Sequence, residues 1–126
     1  MIARGDSLPH FEVTQLDGRP ASYATIWQRH HLVLVLLPGR GAESREYAAL
    51  LHDREPEFSE AGADVVATAE PVADLAGPAV VVADRWGEVQ FAAAMPRVAE
   101  LPPVEDLLEW VRYVQQRCPE CEGEAK

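Results

Sequence analysis

Short alternating stretches open the chain, and a continuous apolar run follows them. "HFEVTQL", His10 to Leu16, sets apolar and polar side chains in turn, as a half-buried strand does. The turn signal "DGR" at Asp17 to Arg19 sends "PAS" back, which predicts a small hairpin. "YATIWQRHH" predicts a short helical turn. Leu32 to Leu37, "LVLVLL", is apolar at every position and is closed by Pro38-Gly39. A strand with that pattern is buried on both faces, so it belongs at the centre of a sheet. Beyond it, Tyr47, Leu50, Leu51, Arg54 and Phe58 recur at helical spacing. Gly62 suits the helix stop, and Pro56 either kinks this helix or starts a second segment.

"DVVATA" predicts the next short strand, and "EPVADLAG" a brief crossover of at most one helical turn. "PAVVVADRWGEVQFAA" predicts a hairpin, with Val80 to Ala83 and Val89 to Ala93 as its strands and "DRWG" as its turn, which Asp84 stabilises. "PPVEDLLEWVRYVQQR" is the clearest helix. Pro103 suits its first position, Glu105 and Asp106 suit the positive end of its dipole, and Val104, Leu107, Leu108, Val111 and Val114 form its apolar face. The expected architecture is α/β: an N-terminal hairpin, a parallel βαβ unit with a right-handed crossover, and an antiparallel hairpin. Together these make a mixed central sheet flanked by helices on both faces. One domain spans residues 1–117, and residues 118–126 form an acidic C-terminal tail.

Composition narrows the partners. A chain of 126 residues with 48% hydrophobic residues builds one globular core without disulfide staples. Its 21 acidic and 11 basic residues give a formal net charge of −10, which repels phosphate backbones and anionic headgroups. Nucleic acid and membrane are therefore excluded as expected partners; a protein partner or a homodimer is not. "MIARGDSLPHF" lacks the apolar core of a signal peptide, so the expected location is cytoplasmic, with thiols at rest in the reduced state.

Several stretches together resemble the thioredoxin-fold redoxins related to peroxiredoxins, of the alkyl hydroperoxide reductase type. "GDSLPHFEVTQLDGRPAS" resembles that class's entry, "LVLVLLP" the strand leading to its active site, "GPAVVVADRWGEV" the hairpin that begins at its cis-proline, and "VEDLLEWV" its closing helix. The resemblance implies a thioredoxin-like sheet, a cis bond at Pro78, and a reactive cysteine just after the central strand, where a helix N-terminus stabilises a thiolate. Here that segment reads "PGRGAESREYAALL". A C-x-x-C laid on it falls on Gly41 and Ser44, and the Thr or Ser followed by Cys of peroxiredoxins is absent as well. The implied function is a degenerate redoxin acting as a binding or regulatory module. Ser44 reads as a helix N-cap or surface residue, since a serine needs an adjacent base and His52 lies two turns away. Arg40 and Arg45 flank the corner as surface arginines or as anion ligands.

The only cysteines, Cys118 and Cys121, lie in "RCPECEGEAK". They have three readings: a thiol-disulfide pair, one half of a zinc site shared by a homodimer, or two inert thiols. The negative end of the preceding helix and Glu120, Glu122 and Glu124 disfavour a thiolate there. A structural zinc needs four ligands, and His10, His30, His31 and His52 have no motif spacing to the pair. No other cofactor is expected. His30-His31 reads as structural or surface, because neighbours entering a strand point to opposite faces. Trp110 reads as packing, and Trp86 as packing or as an exposed contact at its turn.

Overall fold

The computed structural model describes residues 2–38 and 41–125, with side chains described through Gln116. Strands β1 (Glu12–Thr14) and β2 (Pro20–Ser22) form the antiparallel N-terminal hairpin, followed by a 3-10 turn at Tyr23–Thr25. Strand β3 (His31–Leu36) leads to helix α1 (Ala42–Glu60) and strand β4 (Ala63–Thr68). Strands β5 (Ala79–Ala83) and β6 (Val89–Ala94) form the second hairpin, and helix α2 (Val104–Ala125) closes the chain. The main sheet has the order β4-β3-β5-β6, parallel between β3 and β4 and antiparallel elsewhere.

β3 is the hub. All six of its residues are buried, and its side chains alternate between two cores. Val33, Val35 and Leu37 meet Val80 and Val82, with Tyr47, Leu51 and Phe58 of α1 and Leu107, Leu108, Val111 and Val114 of α2. Leu32, Leu34 and Leu36 meet Val81 and Val66 on the other face, with Leu8, Val13, Tyr23, Ile26, Val72 and Leu75. Burying one such aliphatic side chain contributes roughly 1.5–3 kcal/mol, against about 1 for a net backbone hydrogen bond. Packing therefore fixes β3 at the centre more than its ladders do.

The expectation of helices on both faces is corrected here: α1 and α2 share one face. The crossover at 69–78 forms no helix and instead makes a tight turn in which Val72 and Leu75 exchange backbone hydrogen bonds at 3.0 and 2.9 Å. The second face is covered by the N-terminal arm, the hairpin, the Tyr23–Thr25 turn and that loop. Pro56 lies inside a continuous α1, and Leu50, placed by spacing on the apolar stripe, is 55% exposed. Gly62 ends α1 with φ +85°, a conformation that favours glycine. Asp84 holds its turn by accepting from the N–H groups of Trp86 and Glu88 at 2.9 and 3.0 Å. Trp86 is half exposed, and Trp110 stacks on Phe91. α2 runs through the 117/118 boundary that the sequence suggested.

The adjacent histidines separate as their alternation requires. His30 pairs with Asp64 at 3.0 Å on the surface. His31 is fully buried on the helix face, where its Nε2–H donates to Gln115 Oε1 at 2.6 Å. Nδ1 has no hydrogen-bond partner among the described residues. Gly62 leaves the room: a Cβ there would sit 3.1 Å from Gln115 Oε1. Burial depresses the His31 pKa below the usual histidine value, with the Gln115 bond pulling the other way. The unfolded chain therefore binds a proton near pH 6.5 that the folded one refuses, and this contribution to stability is lost as pH falls below about 6.5. We expect the urea midpoint to drop between about pH 7.5 and 5.5 by more in the wild type than in His31→Leu. Equal drops in the two proteins would remove His31 as the source.

Candidate functional site

The corner where β3 gives way to α1 is built from two segments pressed together. Gly41 is the N-cap of α1, and Ser44 lies in the first turn. Opposite them, Gly77–Pro78 is cis, and the Pro78 carbonyl accepts from Met95 N–H at 2.9 Å. The contact is close. A Cβ on Gly77 would lie 2.5 Å from the Leu36 carbonyl oxygen and 2.8 Å from Pro38 Cδ. Leu37 N–H reaches across to Thr68 O at 2.9 Å, so the ends of β3 and β4 and the loop entering β5 are tied at one point. The structure thus sets both Ser44 and the turn before Pro78 against Pro38, with Gly41 as the cap of the helix that carries Ser44.

The groups at this corner have little chemistry to offer. Ser44 is buried, and its hydroxyl donates to the Pro38 carbonyl at 3.1 Å. A general base would have to stand within hydrogen-bond reach of that oxygen. His52 does not; it is 3.9 Å from Glu55 on the exposed side of the helix. Tyr47, one turn after Ser44, donates to the Pro102 carbonyl at 2.6 Å, and burial pushes its pKa above the usual tyrosine range. It is a strut between α1 and the start of α2. Glu43 puts a carboxylate in the first turn of α1. That charge complements the dipole and opposes a second anion there. Arg40 lies outside the described residues, and Arg45 stands within α1.

Cys118 and Cys121 fall on the last turns of α2; their side chains lie outside the described residues. Gln115, three residues earlier, sits against His31 at the start of β3, whereas the Ser44 corner is at its end. The helix therefore carries the pair away from the corner, by about 20 Å of strand length. His10 packs against Tyr23 and Trp27. Among the described residues no three His, Cys, Asp or Glu side chains form a metal-holding group.

Strand order β4-β3-β5-β6, a βαβ unit joined to a terminal hairpin, and a cis-proline entering β5 define a thioredoxin-like fold. Within that class the chain is similar in structure to peroxiredoxins. It superposes on reduced Plasmodium vivax 2-Cys peroxiredoxin with TM-score 0.74 and 13% identity, over 92% of this chain and 83% of that one. For the yeast mitochondrial 1-Cys peroxiredoxin the TM-score is 0.76 at 12% identity, over 95% and 79%. For Mycobacterium tuberculosis AhpC it is 0.67 at 13% identity, over 91% and 94%. No family model matches the sequence, and neither does any curated protein. At these identities the likeness is one of fold.

Sequence reasoning missed the role of Gly77. A glycine directly before the proline was the available signal, and its φ gives no reason for it; the reason is the Leu36 carbonyl. Gly77→Ala should lower stability by about 1–3 kcal/mol or more, since the obstacle is backbone that cannot step aside. Gly41→Ala, with nothing within 4 Å of the added carbon, should cost less than Gly77→Ala. Urea denaturation of the two variants checks the contrast.

Proposed function

We propose that this chain is a redoxin-fold protein whose thiol site is empty, and that it acts as a non-catalytic binding or regulatory module. The observation that carries the reading is the corner itself. Gly41 caps α1 and Ser44 lies in its first turn, the cis Gly77–Pro78 turn packs against Pro38, and the Ser44 hydroxyl is committed to the Pro38 carbonyl. Attack on a peroxide or disulfide needs a thiolate, whose sulfur is oxidised or exchanges partners. Serine oxygen has no equivalent redox step, and without a base it is not ionised near neutral pH. Such a module acts by presenting a surface to a protein, a second copy of itself included.

Two other readings place the chemistry on Cys118 and Cys121. One is a thiol-disulfide couple, and the other a zinc ion held by the paired cysteines of two chains. The course of α2 away from the corner argues against either drawing on it. Peroxide consumption and insulin reduction, each with dithiothreitol as reductant, test the proposal. Rates should match the protein-free background and stay there in Cys118→Ser/Cys121→Ser. Turnover that disappears in Cys118→Ser would overturn it. Zinc at about half an equivalent per chain, in protein purified without a metal-affinity tag, would favour the shared site instead.

A further inference from the structure

The outer edge of β4 is left open between two walls. In its parallel register with β3, His31 N–H bonds to Gly62 O at 2.8 Å and Leu37 N–H to Thr68 O at 2.9 Å. That pattern spends the even-numbered residues of β4 on β3 and turns the N–H and C=O groups of Ala63, Val65 and Ala67 outward. Ala67 is met, its carbonyl accepting from Leu16 N–H at 2.9 Å. The pairing goes no further than the single bridge Gln15–Thr68, because the chain turns away at Asp17 to Arg19. Among the described residues no hydrogen bond reaches the outward groups of Ala63, which is buried, or of Val65, which is partly exposed. They face a groove of about 770 Å³, with α1 on one side and the β1–β2 hairpin on the other.

An edge with free backbone groups beside a helix accepts an extended peptide as an added strand. The lining decides which peptide. Glu55 stands on the α1 wall, Glu12 on the hairpin wall, and Asp64 and Glu70 on and after β4. Set against them are Arg19, bound to Asp17 at 2.8 Å, and His30, bound to Asp64 at 3.0 Å, while Glu70 accepts from Thr14 N–H at 2.7 Å, which leaves Glu12, and Glu55 with His52 at 3.9 Å. The uncancelled charge is negative, and it adds to a chain whose net charge is already −10. We propose that this groove binds an extended basic segment of a partner protein, by strand addition to β4 at Val65, with Glu12 and Glu55 meeting its cations. The groove borders the C-terminal half of α1, far from Ser44, so the proposal stands whether or not the corner is catalytic.

Fluorescence anisotropy with a short labelled peptide of alternating valine and lysine provides the test. Saturable binding is expected, with none for the valine-glutamate counterpart. Glu12→Lys/Glu55→Lys should weaken it by about tenfold or more. Val65→Pro removes an outward N–H that the β3 ladder does not use and should weaken it to a similar degree. Hydrogen exchange on the wild type keeps the test independent of how that variant folds: the Val65 amide should gain protection on adding peptide. Absence of binding overturns the proposal. So does binding that leaves that amide unprotected, which would be mere adhesion to an acidic surface. A dimer of the unliganded chain that Val65→Pro dissociates would seat a second copy on this edge and overturn it as well.

Discussion

β3 has a neighbouring strand on each edge and a core on each face, and the rest of the chain is arranged to supply all four. Its backbone groups are shared between β4 and β5. Its odd-numbered side chains enter the core under α1 and α2, and its even-numbered ones enter the core under the hairpin and the N-terminal arm. A polar side chain in this strand would be buried whichever way it pointed. The one that occurs, His31, stands at the first position, where α2 can reach it with Gln115. The constraint also explains why the covering of the second face can be irregular: that core needs apolar side chains, not a helix to carry them.

Because β3 is so enclosed, its two ends are where function can be placed. At the C-terminal end, three backbone segments converge and a helix begins; on the reading proposed above, this is a redoxin corner without its thiol. At the N-terminal end, the hairpin departs from β4 after a single bridge, and the sheet is left with usable backbone groups beside α1. The first end has close backbone packing and, among the described residues, a serine hydroxyl bound to a carbonyl. The second has no sequence motif at all, but it has donors, acceptors and charge.

What the sequence made legible follows from how local each signal was. The run Leu32 to Leu37, the stop at Gly62, the Asp84 turn and the acidic first turn of α2 each depend on residues within a few positions, and each stands where it was expected. The thioredoxin-like sheet was legible because the order of these elements restricts the topologies open to them. Other features depend on distant parts. Leu50 has the right spacing for the apolar stripe, yet it is exposed, because the face that meets the sheet is set by Tyr47, Leu51 and Phe58. Periodicity could not say that both helices share a face, since β3 is apolar on both sides and the choice rests on a crossover that forms no helix. The open edge of β4 was illegible for the same reason. Whether an edge is covered depends on where a hairpin some fifty residues earlier in the chain turns away.

On the reading that this corner has lost its thiol, its packing bears on how a fold can keep a feature after its chemistry has gone. Gly77 admits no side chain because the Leu36 carbonyl occupies the space, and the cis Gly77–Pro78 bond directs the chain into β5, the neighbour of β3. These residues are held by packing of the central strand, not by any demand of a thiolate. Gly41 is under no comparable constraint, with open space where its side chain would be, and Ser44 makes a single hydrogen bond to Pro38. The positions that would carry sulfur are thus the loosely constrained ones, and those that would frame it are fixed by β3. A chain could lose the nucleophile and keep the frame at almost no cost in stability, so a cis-proline beside an α1 N-terminus is evidence of the fold and not, by itself, of a reaction.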